Sequence, residues 1–134
     1  MTKLLDTNVC IAILRGQAAA VDLLVAELGR EDLRLSAITA YELAFGAMNG
    51  PRPDEELAKI SRFIDGGPGV TDFNRGDAEA AGRIRADLST RGKMIGAYDL
   101  LIGGQAIARS WTLVTANTRE FTRITGLKLE DWSR

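Results

Sequence analysis

Short apolar runs recur along this chain, each cut off by polar or small residues: Lys3–Leu5, Leu33–Ser36, Val70–Asp72, Leu113–Thr115 and Leu127–Leu129. Runs of this length with such boundaries read as strands. The segments between them follow a helical period instead. Val21, Leu24, Val25 and Leu28 fall at i, i+3, i+4 and i+7, the apolar face of a helix. Leu57, Ile60 and Ile64 suggest a second helix behind Pro51 and Pro53. Ala78, Ala81, Ile84 and Leu88 mark a third, closed by Arg91 and Gly92. From Leu100 to Ala108 the chain is apolar on several sides and predicts a well-buried central helix.

Strands alternating with helices predict a parallel sheet covered on both faces. Gly66-Gly67-Pro68-Gly69 is a tight connector, because too little chain flanks it for two domains, so residues 1–134 are expected to form one domain. There is no internal repeat. In sheets of this type ligands bind outside the carboxyl ends of the strands. That rule places Asp6, where "KLLDTNVCIAIL" turns abruptly polar, on the lip of the sheet.

Composition removes several chemistries. The 134 residues include no histidine and one cysteine, Cys10. Imidazole catalysis, histidine-ligated zinc and an intrachain disulfide are therefore excluded. A metal held by this chain rests on hard oxygen ligands, which suit Mg²⁺, Mn²⁺ or Ca²⁺. Net charge is −1, so the chain as a whole does not attract nucleic acid; an RNA substrate needs a local basic patch or a bound cation. No apolar run approaches the roughly 18 residues needed to cross a bilayer. Asp6, Thr7 and Asn8 interrupt the only signal-like stretch, so a mature, cytoplasmic protein is expected.

Three further acids fall where the same lip is expected. Glu42 lies in "SAITAYELAFG" after the second strand, Asp99 in "IGAYDLLIGGQAIA" at the start of the central helix, and Glu120 in "TANTREF" past the fourth strand, beside Asn117. Each has a structural role open to it. Asp6 or Thr7 can cap a helix beginning near Val9. Thr39 and Glu42 fit a capping box. Asp99 suits a helix dipole, and Asn117 can cap a short turn. Collectively they carry a cost: two carboxylates about 5 Å apart repel by roughly 3 kcal/mol at an effective dielectric near 20. A divalent ion offsets that repulsion, activates water and neutralises a phosphoryl oxygen.

These four blocks, with "LVTANTREFTRITGLKLEDW" completing the last, resemble in order the motifs of PIN-domain proteins, most closely the VapC toxins of bacterial type II toxin–antitoxin pairs. The resemblance runs from Lys3 to Trp132. It implies a three-layer α/β/α sandwich around a mainly parallel five-stranded sheet. It also implies a Mg²⁺- or Mn²⁺-dependent endoribonuclease that cuts structured RNA such as tRNA or a ribosomal RNA loop. Carried over by motif, Asp6, Glu42 and Asp99 form the acidic core, with Asp6 and Asp99 as metal ligands and Glu42 as ligand or water-orienting base. Thr7 and Thr115 support those carboxylates. Many PIN domains carry an acid where this chain has Asn117, so Asn117 takes a supporting place and Glu120 supplies the fourth catalytic carboxylate.

The resemblance further implies a VapB-like antitoxin whose tail threads a groove near Ile11, Leu14, Leu43 and Phe45, and a homodimer. Arg83, Arg85, Arg91, Lys93, Arg119 and Arg123 are candidate phosphate contacts, and Tyr98 a candidate for stacking on an unpaired base. Two other readings stay open. A PIN fold can hold RNA or protein without cutting. An aspartate after a first strand can also accept a phosphoryl group, but no lysine here follows a predicted strand, and Asn8 stands where the phosphatase pattern has a second Asp.

Overall fold

The computed structural model describes residues 1–132. In chain order the elements are β1 (Thr2–Leu5), α1 (Thr7–Leu14), α2 (Ala18–Glu27), β2 (Asp32–Ser36), α3 (Ala37–Met48), α4 (Pro53–Asp65), β3 (Gly69–Thr71), α5 (Arg75–Thr90), α6 (Ala97–Arg109), β4 (Thr112–Val114), α7 (Thr118–Phe121) and β5 (Lys128–Glu130). The five strands form one sheet in the order β3-β2-β1-β4-β5, and every pairing is parallel. All five strands lie within one residue of their predicted positions.

Alternation along the strands sends apolar side chains to both faces, as a sheet covered on two sides requires. Leu5, Leu33, Leu35 and Val114 join Val9, Cys10, Ile13, Leu24, Leu43 and Ile60 in one core beneath α1–α4. Leu4 and Leu113 join Leu88, Leu100, Ile102, Ala106, Phe121 and Ile124 in a second core beneath α5–α7. The result is the expected three-layer sandwich.

Helix faces differ from the expectation at two places. In α2 only Ala20 and Leu24 are buried, while Val25 and Leu28 are exposed. The axis of α2 is bent 105° from that of α1, so only part of its apolar stripe reaches the core. In α5 the inward position expected for Ala78 belongs to Asp77, which is 1% exposed. Its carboxylate closes a capping box with Asn74 and accepts from Arg109 and Gln105, so the buried charge is compensated. Among the described residues no single helix is long and apolar enough to cross a membrane.

Candidate active site

Sheet order dictates where the site lies. The chain builds outward from β1 through β2 to β3, then returns to the other side of β1 for β4 and β5. The switch point is the crevice beyond the carboxyl ends of β1 and β4, where Asp6 and Thr115 stand. The Thr115 hydroxyl donates to Asp6 Oδ2 across that crevice at 2.8 Å, and the Thr7 N–H donates to Asp6 Oδ1 at 2.8 Å. Asp6 is therefore the N-cap of α1 and a member of the crevice at once, and the helix starts at Thr7, two residues before the expected Val9. The Asn117 N–H donates to Thr115 Oγ1 at 2.9 Å, which fixes the hydroxyl that Asp6 depends on.

The expected capping box of Thr39 with Glu42 does not form. Ser36 caps α3 by accepting from the Ile38 N–H, which leaves Thr39 and Glu42 one turn apart inside the helix. Glu42 Oε1 accepts the Thr7 hydroxyl at 2.7 Å, and Thr7 and Thr39 hydroxyls lie 3.0 Å apart. Thr7 has a single hydroxyl proton and gives it to Glu42, so Thr39 is the donor to Thr7. Of this relay, Thr39 to Thr7 to Glu42, the sequence places Thr7 and Glu42 at the site but offers Thr39 only a capping role. Its one signal was a hydroxyl three residues before the acid on the same helical face.

Asp99 is the third residue of α6, whose N-terminus opens at the same crevice. Among the described residues no hydrogen bond or ion pair engages its carboxylate. Glu120, in α7, accepts from the Asn117 side-chain amide at 3.1 Å through Oε2. Asn117 thus supports two members of the site, and its side chain does not cap the turn as expected.

Electrostatics shows that the acids act on one another. The Asp99 carboxyl is pushed up to about 6 by burial, and then by the charges of Asp6, Glu120 and Glu42. Burial also raises Asp6, opposed by its hydrogen bonds from Thr115 and Thr7 and reinforced by Glu42. Among the described residues none of the four forms an ion pair with a Lys or Arg. The donor set is all oxygen, anionic and without a cation, which fits Mg²⁺ or Mn²⁺. Among the described residues no three acidic or thiol side chains form a ready chelate. Magnesium does not need one, because it keeps several waters and takes one or two carboxylates.

Two features flank the crevice. Ile11, Leu14 and Leu43 line a groove of about 410 Å³ between α1, α3 and α4, together with Glu42, Arg15, Arg52 and Lys59. Phe45, expected there, is instead 62% exposed on the outside of α3. Of the basic candidates, Arg91 pairs with Asp87 and the Arg123 carbonyl, and Arg123 donates to the Met94 carbonyl. Arg83, Arg85, Lys93 and Arg119 are exposed and form no ion pair among the described residues. Tyr98 bonds through its hydroxyl to Tyr41, a partner 57 positions away that sequence spacing does not indicate.

Residues 3–127 match the PIN domain model. The chain is 38% identical over 130 residues to the tRNA(fMet)-specific endonuclease VapC of Shigella flexneri, covering 97% of each. Its fold superposes with a TM-score of 0.94 on a chain of VapBC2 from Rickettsia felis bound to a DNA fragment from their promoter, at 30% identity over 99% of this chain and 100% of that one. A chain of DNA-bound VapBC from Salmonella typhimurium gives 0.91 at 35% identity, with 98% of each covered. The chain belongs to the PIN-domain family and, within it, to the VapC ribonucleases.

Proposed function

We propose that this chain is the toxin of a type II toxin–antitoxin pair and acts in the cytoplasm as a Mg²⁺- or Mn²⁺-dependent endoribonuclease on structured RNA, tRNA or a ribosomal RNA loop. The observation that carries the proposal is Asp99, a carboxylate pushed up to about 6 by burial and then by the charges of Asp6, Glu120 and Glu42, with no ion-paired Lys or Arg at any of the four acids among the described residues. The likeness to the tRNA(fMet)-specific endonuclease VapC of Shigella flexneri supports a tRNA substrate.

Asp6 and Asp99 are the residues to hold the ion, with Glu42 as third ligand or as the base that orients water, and Glu120 at the rim. When bound, the ion supplies neutralisation of phosphoryl charge and makes the attacking water more acidic. Thr7 and Thr115 fix both oxygens of Asp6, each of which keeps a lone pair for a further partner. Thr7 holds Glu42 by Oε1 and leaves Oε2 to accept a proton from water. The groove that ends at Glu42 suits a VapB-like antitoxin tail, whose basic residue would meet the acids there. A homodimer is part of the same proposal.

Purified wild type and Asp6→Asn, incubated with total RNA plus Mg²⁺, Mn²⁺ or chelator, test the assignment. Cleavage is expected from wild type alone, and only with the ion. Equal cleavage by both proteins, or cleavage indifferent to chelator, removes the mechanism. Tight partner binding without any cleavage marks a binding module instead.

A further inference from the structure

Two tyrosines stand at the rim of the crevice with their rings in water. Tyr41 is 53% exposed and Tyr98 43%, and they immediately precede Glu42 and Asp99. They come from different helices, α3 and α6, and meet with their rings tilted: ring centroids 5.4 Å apart, planes inclined by 56°, hydroxyls 3.0 Å apart. Among the described residues neither side chain has another hydrogen bond or ring contact. An aromatic pair braced across two helices, yet left uncovered, exposes apolar surface that a folded chain ordinarily buries.

The neighbouring charges select the occupant. Carboxylates repel phosphate, so RNA beside them is best gripped through a part that carries no charge. A base face is neutral and stacks on an aromatic ring whatever its sequence. The hydroxyl bond holds the rings in place before anything binds, which lowers the ordering cost of stacking. We propose that Tyr41 and Tyr98 form a stacking subsite for an unpaired base next to the scissile phosphate; this rests on the endoribonuclease reading above. The competing occupant is a second copy of the chain, since Phe45 and Met48, 62% and 60% exposed, continue the stripe from Tyr41 at i+4 and i+7. The stripe leads away from the acids, whereas the tyrosine pair adjoins them.

The test compares wild type with Tyr41→Ala, Tyr98→Ala, Tyr41→Phe and Tyr98→Phe. Cleavage kinetics use a hairpin RNA with Mg²⁺. Stacking is read from quenching of 2-aminopurine placed in the hairpin loop, in an Asp6→Asn background that keeps the RNA intact. The alanine variants are expected to raise KM about tenfold with kcat within about threefold of wild type, and to lose the quenching. The phenylalanine variants are expected to keep both, and melting temperature and light-scattering mass to stay unchanged throughout. Alanine variants that cleave and quench like wild type overturn this proposal while the nuclease reading stands. So do phenylalanine variants as impaired as the alanines, which would assign the role to the hydroxyls. A fall in molecular mass that tracks the loss of cleavage makes the patch an interface between copies. A wild type that neither binds nor cleaves RNA overturns the nuclease reading and the subsite together.

Discussion

Asp6 and Asp99 are both carboxylates at the ends of elements, yet their surroundings treat them differently. Asp6 is buried and accepts two hydrogen bonds that favour its charged form, from the Thr7 N–H and the Thr115 hydroxyl. Asp99 has no donor among the described residues, so burial and three neighbouring charges act on it without opposition. Folded, Asp99 keeps its proton up to about pH 6; unfolded, it releases it near its ordinary value of 3.8. The folded state therefore binds more protons between those values, and its stability falls as pH rises through them. Asp99→Asn is neutral at every pH and escapes that loss. In chelator, the stability advantage of Asp99→Asn over wild type is expected to grow by about 1 kcal/mol from about pH 4 to pH 7, less than a fully buried carboxylate would give because water reaches Asp99. Melting curves of both proteins at matched pH measure this. A gap that does not change with pH shows that the fold leaves Asp99 free to ionise.

At the scale of elements, the position of Asp99 depends on how closely α6 approaches α5. A Cβ on Gly104 would lie 2.7 Å from both Cα and Cβ of Ala81 and 2.8 Å from its backbone nitrogen, so the two helices touch through a missing side chain. Gly104→Ala is expected to lower stability by about 1–3 kcal/mol through overpacking, although alanine favours a helix over glycine by about 1 kcal/mol. Gly103→Ala is expected to cost less. Its 2.6 Å contact is with Ile124 Cδ1, the far end of a side chain that can turn away. Thermal unfolding followed by circular dichroism ranks the two, and a Gly104→Ala protein as stable as wild type contradicts the close approach. This wedge was invisible in the sequence, where "LLIGGQAIA" reads only as a helix weakened by two glycines. The strands were legible because each apolar run ends at residues a strand rejects, and the same boundaries put the acids at the strand ends. Faces were less legible: periodicity gives a stripe in α2 but not which part of it a neighbour will cover. Side-chain partners remote in sequence were least legible. Thr7 meets Thr39 across 32 positions and Tyr41 meets Tyr98 across 57, contacts that exist only once the strand order is known. The cap of α3 fell to a nearer competitor, since Ser36 reaches the Ile38 N–H before Thr39 can act as a cap.

Across the whole molecule, charge is nearly balanced but unevenly placed. Several cations are committed to partners other than the four acids. Lys3 binds Glu27 and Glu130, tying β1 to α2 and to the edge strand β5, and the indole of Trp132 donates to the same Glu130. Arg109 closes on Asp77 behind α6, and Arg91 on Asp87 along α5. What remains at the switch point is uncompensated negative charge, so a divalent ion that binds there stabilises the fold as a whole by linkage. At a free concentration about a hundred times its dissociation constant, the ion contributes about 2.7 kcal/mol, on the order of 10 °C in melting temperature for a chain of this size. On the proposed assignment Asp99→Asn removes one ligand and part of the repulsion that the ion would offset, so its melting temperature is expected to rise far less. Monovalent salt at matched ionic strength controls for screening of surface charge, which any cation provides. If Mg²⁺ or Mn²⁺ raises the melting temperature of wild type and Asp99→Asn equally above that control, the ion binds elsewhere and the crevice is not the metal site.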